Sequence, residues 1–250
     1  QAFAGNVLSN DSDEASYDIQ LVGLGSAPPG DLKLLKDINA YGAPAGISSL
    51  VVLGSHAYFA VFTNQYGNEL WKTDGTTAGT TLVKDINPGN ASSGPANLTV
   101  IGSSLYFSAT TAANGFELWK TDGTDAGTVL VKDINPGTPS SSPANFLNFG
   151  GTLFFSATDT TANGVELWKS DGTTAGTVLV SNINTAAGTS SSPSLFTVVG
   201  SQLFFRANGN SGTQGIELWK TDGTAPGTVL VKDIYAGSTS SSPSNLTALG

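Results

Sequence analysis

The sequence predicts an all-β fold, a five-bladed β-propeller made of four-stranded antiparallel blades. Three observations support this prediction. The stretch ELWKTDGTTAGTTLVKDINPG begins at Glu69 and returns, almost unchanged, at Glu117, Glu166 and Glu217. Short runs rich in β-branched and aromatic residues alternate with turns that contain Gly, Asn, Asp or Pro. No run has helical periodicity, so a helical solenoid is excluded.

The repeat length indicates one blade per copy. Glu69 to Glu117 is 48 residues, Glu117 to Glu166 is 49, and Glu166 to Glu217 is 51. Repeats of this length are typical of propellers and solenoids. One period holds four strand-like runs, which are Asn97–Ile101, Leu105–Ala109, Glu117–Lys120 and Thr128–Ile134. Because "TVLV" and "LYF" are apolar on successive residues, both faces of a blade are expected to be covered.

The boundaries of the units follow from this repeat. The whole chain, residues 1–250, is predicted to be a single repeat domain. Blades are predicted at residues 48–87, 94–135, 142–184 and 192–235, and residues 240–250 are the first strand of a closing blade. Strands from residues 1–39 are predicted to complete this fifth blade, in the same molecule or from a neighbouring subunit.

The evidence for the fifth blade is partial similarity to the repeat. "DLKLLKDIN" at Asp31–Asn39 matches "GTTLVKDIN" at Gly79–Asn87. "IQLVGLGSAPPG" at Ile19–Gly30 is a degraded form of "NELWKTDGTTAG", with Val22 in the position of the tryptophan. "AFAG" at residues 2–5 is the candidate for the remaining strand.

The "TDGT" stretch predicts a hairpin turn between two strands. Asp74 is expected to hydrogen-bond its own backbone, and Gly75 to supply a positive φ. A loop centred between Thr76 and Thr77 would place Trp71 opposite Leu82 and Glu69 opposite Lys84. We therefore expect a cross-strand hydrophobic pair and a cross-strand ion pair in most copies of the repeat.

The composition limits the classes of partner and compartment. The net charge is −9, which argues against nucleic acid or anionic membrane surfaces as partners. No apolar run reaches the ~18 residues needed to cross a bilayer, so no membrane insertion is expected. The chain has no Cys, so no disulfide contributes, and it has no Met, which favours a processed chain or a fragment. An acidic repeat rich in Thr, Gly and Asn favours a bacterial secreted or surface protein.

The motif "ELWKTDGTTAGT" resembles the bacterial ELWxxDGT repeat family, found in long secreted or surface proteins. The resemblance covers most of the chain from Asp31 onward and rests on four near-perfect copies. It implies a repeat scaffold and supplies no biochemical activity. Separately, "GNVLSNDSD" at Gly5–Asp13 is similar to the start of bacterial cadherin-like repeats, which accompany adhesins. Together, these resemblances imply a role in assembly or adhesion.

Catalysis is not predicted, and no catalytic residue is assigned. Nearly every acidic residue after residue 31 occupies a repeated position, and His56 has no candidate triad around it. No cofactor is expected. Asp11, Asp13 and Glu14 supply hard oxygen ligands that suit Ca²⁺, but the cluster lacks the remaining features of an EF-hand, and an exposed acidic loop is the favoured interpretation.

Glycan binding is the main alternative to a purely structural role. The candidate stacking residues are the four repeated tryptophans, Trp71, Trp119, Trp168 and Trp219. Some five-bladed propellers with repeats of this length resemble tachylectin-type lectins with one sugar site per blade. A position in the core between blades is the favoured interpretation of these tryptophans. The predicted function is thus a non-catalytic scaffold or adhesion module that self-associates or binds other surface proteins. The alternatives are a filament subunit assembled by strand donation and a multivalent lectin.

Overall fold

The computed structural model describes residues 46–159, 163–186, 188–210 and 213–248. These residues form sixteen strands in four separate four-stranded sheets, and none of them is helical. None of the described residues belongs to a helix with the length and apolar character needed to cross a membrane. The predictions for residues 1–39 lie outside the described residues.

Each sheet is an antiparallel meander whose strands pair in chain order. The first sheet contains β1 (Ser48–Leu53), β2 (His56–Thr63), β3 (Gly67–Thr73) and β4 (Thr81–Lys84). The second contains β5 (Ala96–Ile101), β6 (Ser104–Ala109), β7 (Glu117–Thr121) and β8 (Val129–Lys132). The third contains β9 (Ala144–Phe149), β10 (Thr152–Thr158), β11 (Val165–Ser170) and β12 (Val178–Ser181). The fourth contains β13 (Ser194–Val199), β14 (Gln202–Asn208), β15 (Ile216–Thr221) and β16 (Val229–Lys232).

The sheets pack face to face because both of their faces are apolar. The buried residues between the first and second sheets include Leu70, Val83 and Ile86 from one sheet and Phe107 and Trp119 from the next. Equivalent residues form the cores between the second and third sheets and between the third and fourth. The first strands of successive sheets also lie beside one another. The described sheets thus stack in chain order, each packed against its neighbours in sequence.

The prediction of an all-β fold with repeated four-stranded antiparallel sheets is confirmed. No strand pairing joins the fourth sheet to the first among the described residues, so a closed ring of five blades is not established there. The predicted pairing of Trp71 with Leu82 is confirmed.

The predicted ion pair between Glu69 and Lys84 is wrong. A register shift between Leu70 and Trp71 places Leu70, not Glu69, opposite Lys84. The same shift occurs in the second and fourth sheets, where Lys132 and Lys232 pair with Leu118 and Leu218. The extra residue turns the glutamate away from the lysine.

Candidate functional site: the interface between successive sheets

A lysine on the third strand of each sheet contacts the turn of the following sheet. Lys72 Nζ donates a hydrogen bond to the Gly123 carbonyl oxygen at 2.7 Å. Lys120 bonds Gly172 at 2.7 Å and Lys169 bonds Gly223 at 2.8 Å in the same way. The lysine of "ELWK" therefore links one sheet to the "DGT" turn of the next, and the ammonium charge strengthens each bond.

A second lysine, on the fourth strand, strengthens two of these interfaces. Lys84 Nζ donates to the Asp125 carbonyl oxygen at 3.1 Å and lies 3.6 Å from the Asp125 carboxylate. Lys132 Nζ donates to the Thr177 carbonyl oxygen at 2.8 Å. The third sheet has Ser181 at this position. The second contact is thus absent from one interface, whereas the first is present in all three.

The glycine of the turn is required by close packing against the preceding sheet. Gly123 has a φ of +92°, and a Cβ added there would lie 2.1 Å from the Tyr58 hydroxyl oxygen. Gly172 lies under Tyr106 in the same way, with a corresponding distance of 2.2 Å. Any larger residue would separate the two sheets or strain the backbone. The repeated glycine therefore serves the turn and the interface together.

Hydrogen bonds within the turn hold it in the shape that the interface needs. Asp122 Oδ1 accepts from the Thr124 amide at 2.9 Å and from its hydroxyl at 2.7 Å. These two bonds lower the pKa of Asp122, and the charge of Lys72 lowers it further. At neutral pH the carboxylate is ionised and the turn is fixed from within.

The repeated glutamate connects the third strand to the crossover that leads to the next sheet. Glu117 Oε2 accepts from the Ile134 amide at 2.7 Å and from the Ser141 hydroxyl at 2.6 Å, while Oε1 accepts from the Ser141 amide at 2.8 Å. The side chain has no solvent exposure. Burial raises the pKa of Glu117, and its hydrogen bonds lower it in part. Burial likewise raises the pKa of Glu69, to about 7, although the hydrogen bonds from Ser93, Asn87 and Ile86 act to lower it.

The four tryptophans lie in the cores and expose little surface. Trp71, Trp119, Trp168 and Trp219 have exposed fractions of 7%, 7%, 5% and 9%. Each ring packs with apolar residues of its sheet or the preceding one, and Lys132 Nζ lies 5.9 Å from the centre of the Trp168 ring. In this conformation the ring faces are not accessible to a sugar. The stacking of glycans on these residues stays a prediction.

Polar grooves open where successive sheets meet, at the end of the stack that carries the turns. The groove between the third and fourth sheets has a volume of about 570 Å³, and its lining includes Phe149, Thr152, Phe154 and Asp222. A second groove of about 460 Å³ lies between the first and second sheets and is lined by His56, among others. Aromatic and acidic groups therefore meet in a space large enough for a small ligand.

The other predicted sites have simpler outcomes. Asp11, Asp13 and Glu14, the candidate Ca²⁺ ligands, lie outside the described residues. Within residues 46–159, 163–186, 188–210 and 213–248, no group of three His, Cys, Asp or Glu side chains is placed to hold a metal ion. His56 contacts the Ser55 hydroxyl at 3.2 Å and the Tyr58 ring.

Comparisons with known proteins give likenesses of fold alone. No family model and no curated protein matches the chain. A solved structure from a study of two prolyl endopeptidases has a TM-score of 0.53 and 12% identity, over 89% of this chain and 32% of that one. The acylaminoacyl peptidase of Pyrococcus horikoshii has a TM-score of 0.46 and 13% identity, over 74% and 27%. An α-L-arabinofuranosidase from Clostridium thermocellum has a TM-score of 0.34 and 13% identity, over 75% and 71%. The chain spans less than half the length of the peptidases it resembles.

These comparisons contradict the expectation that the chain is not an enzyme. The solved structure with a TM-score of 0.53 comes from a study of two prolyl endopeptidases, so a similar fold occurs within an enzyme. That expectation rested on the acidic residues, nearly all of which occupy repeated positions. Such positions indicate that these residues are structural, and they do not show whether a larger protein containing this fold is an enzyme. At this identity, no residue role is carried over to the chain.

Proposed function

We propose that the chain is a propeller scaffold of a secreted or cell-surface protein and acts through protein–protein assembly and surface contacts. The ring has five blades, and the fifth combines residues 240–250 with strands from residues 1–39. The supporting observation is the lysine-to-carbonyl contact between sheets, which occurs at all three described interfaces. The repeated letters thus specify how one unit recognises the next.

The acidic composition and the family resemblance support the compartment. Antibodies against the purified chain, used on cells of the source bacterium, would locate the protein in the medium, on the surface or inside. Protease treatment of intact cells should remove the signal, while a cytoplasmic marker survives. A protein protected from protease until the cells are lysed would contradict the proposal.

Filament assembly by strand donation is an alternative supported by the C-terminal segment. Ser244–Ala248 corresponds in sequence to the first strand of a sheet, but these residues belong to no strand. Light scattering on the full chain at increasing concentration tests this alternative. A mass that grows with concentration supports donation between molecules, whereas a constant monomer mass supports closure within one molecule.

Glycan binding is a second alternative, and the grooves favour it over the tryptophans. Phe149 and Phe154 pack edge to face at 5.4 Å beside the groove between the third and fourth sheets. Aromatic faces and carboxylates are the groups that proteins offer to sugars. A glycan array on the full chain tests this, with Asp222→Asn as the variant and Asp74→Asn as the matched control in another copy of the turn. An array on which no glycan binds reproducibly would contradict the lectin alternative.

A further inference from the structure

We infer that the open face of the fourth sheet is the docking surface for residues 1–45 of the same chain. This inference rests on the proposed function, and it identifies the surface against which the fifth blade packs. The open face is defined by Phe204, Leu218, Val231 and Ile234, together with the lysines Lys220 and Lys232 at its margin. It is supported by the exposure of this face, by unpaired lysine donors, by the backbone conformation of the C-terminal segment and by the sequence of residues 1–45, and the electrostatics of Glu217 agree with it.

The exposure of this face departs from that of its equivalents. Val231 is 43% exposed and Ile234 is 56% exposed. The equivalent residues of the first three sheets are buried; they are Val83, Val131, Val180, Ile86, Ile134 and Ile183. Phe204 and Leu218 are only half-buried, whereas the residues at the same positions in the other three sheets are buried. The sequence therefore builds an apolar face on the fourth sheet that matches the covered faces of the other three.

The electrostatics of Glu217 agree with an uncovered face. Its hydrogen bonds to Ile234 and Ser241 repeat those of Glu117. Burial raises the pKa of Glu217 less than these hydrogen bonds lower it, so the pKa lies below its usual value. The pKa of Glu117 lies above its usual value, although the bonding is the same. The difference arises because no described sheet follows the fourth.

Two lysines on the open face lack the acceptors that their equivalents have. Lys72, Lys120 and Lys169 each donate to a glycine carbonyl of the following turn. The Nζ atoms of Lys220 and Lys232 have no hydrogen-bond acceptor among the described residues. The acceptors in the other interfaces are backbone carbonyls, which any residue supplies. A unit with degraded side chains, such as residues 19–30, can still satisfy these lysines.

Residues 244–248 have the backbone conformation of a first strand, but they pair with no second strand among the described residues. Asn245 has a φ of 54°, close to the 58° of Asn97, Asn145 and Leu195 in complete sheets. The Thr197 hydroxyl donates to the Leu246 carbonyl oxygen at 3.1 Å and fixes the segment beside the fourth sheet. The rest of this unit would comprise a second, a third and a fourth strand.

Residues 1–45 have the sequence that this position requires. Asp31–Asn39 matches the fourth strand of the repeat and its flanks, and Ile19–Gly30 matches the third strand and its turn. Forty-five residues lie before the described part of the chain, close to one repeat less its first strand. Val22 occupies the position of the buried tryptophan, which packs against residues equivalent to Val231 and Ile234 in the other interfaces.

Cysteine chemistry tests the occupant, because the natural chain contains no cysteine. The full chain carrying Ile234→Cys is treated with a maleimide, alongside Ile86→Cys as the covered equivalent and Val229→Cys as an exposed control. Docking predicts labelling of Ile234→Cys at least about tenfold slower than that of Val229→Cys, because a covered thiol reacts only after local opening. Equal rates would show that the face is uncovered and would overturn the inference.

A paired variant identifies what covers the face. The variant with both Val22→Cys and Val231→Cys is oxidised in dilute solution, so that thiols in contact form a disulfide bridge, with Val22→Cys and Val129→Cys as the matched control on another sheet. A bridged monomer from the first pair alone supports the inference. Bridged dimers would show that a second copy occupies the face, and slow labelling without any bridge would show another occupant, so either result overturns it. Neither result changes where the cell places the protein, which the localisation experiment decides separately.

Discussion

Replacing Glu117 with alanine tests whether the repeated glutamate is structural. The carboxylate accepts the Ile134 amide, the Ser141 amide and the Ser141 hydroxyl, and none of its surface reaches solvent. Glu117→Ala removes all three acceptors at once. The two amides then lie in the interior without partners.

The size of the effect follows from these unsatisfied groups. Each buried donor left without an acceptor costs about 1–3 kcal/mol. Two amides therefore predict a loss of about 2–6 kcal/mol in the free energy of unfolding, with the hydroxyl free to rotate toward another acceptor. Loss of the tether also releases the crossover between the second and third sheets, so the effect should fall in the upper part of this range.

The assay is urea unfolding followed by tryptophan fluorescence, with Asp125→Ala as an exposed control on the same sheet. The Asp125 side chain is 76% exposed and its carboxylate contacts Lys84 at 3.6 Å, so its removal should cost at most about 1 kcal/mol. Equal losses in the two variants, or a loss below about 0.5 kcal/mol for Glu117→Ala, would refute the role assigned to the buried carboxylate.

Three further predictions concern the interfaces and pH. Lys120→Met should lower the unfolding midpoint because the bond from Lys120 to the Gly172 carbonyl oxygen is lost, and an unchanged midpoint would contradict the lysine contact. Gly172→Ala should destabilise the fold by about 1–3 kcal/mol, and Tyr106→Phe in the same chain should recover part of the loss in a thermal melt. The pKa of Glu69 in the folded state, about 7, lies above its ordinary value of 4.5. The folded state therefore binds the proton more tightly, so stability should rise as pH falls from 7 to 4.5, and a melting temperature that falls over this range would contradict the assignment.

Much of the local structure could be predicted because turn chemistry and strand propensity are local properties. The predicted strand at Asn97–Ile101 is observed at Ala96–Ile101, and the predicted run at Glu117–Lys120 is observed at Glu117–Thr121. Asp74 accepts the Thr76 amide as expected, and Gly75 has the expected positive φ. Each of these features depends on residues only a few positions apart.

The partners of the charged residues could not be predicted from one repeat. Glu69 and Lys84 are opposite in charge and suitably spaced for an ideal hairpin, but the register shift at Leu70 separates them. Glu69 instead bonds Ser93, which lies 24 positions later, and Lys72 bonds Gly123, which lies 51 positions later. A one-residue shift leaves no mark in composition or periodicity. The sequence does contain a signal for these partners, which is that Glu, Lys and Gly recur at the same positions in each repeat. A residue that bonds the next repeat must be present in every repeat, so this recurrence predicts contacts between repeats.

Each repeat carries a lysine donor for the following sheet and a glycine carbonyl acceptor for the preceding sheet. A sheet at the end of an array therefore has a donor or an acceptor without its partner. At each of the three described interfaces, the lysine of one sheet donates to the glycine carbonyl of the sheet that follows. The third sheet lacks the second lysine, and Phe154 replaces the tyrosine over the next turn, yet Lys169 still bonds Gly223. This contact survives both changes, and it is the one for which Lys220 has no acceptor among the described residues. A free end of such an array therefore presents both an apolar surface and unpaired donors, which favours a ring or a continued assembly over an isolated stack.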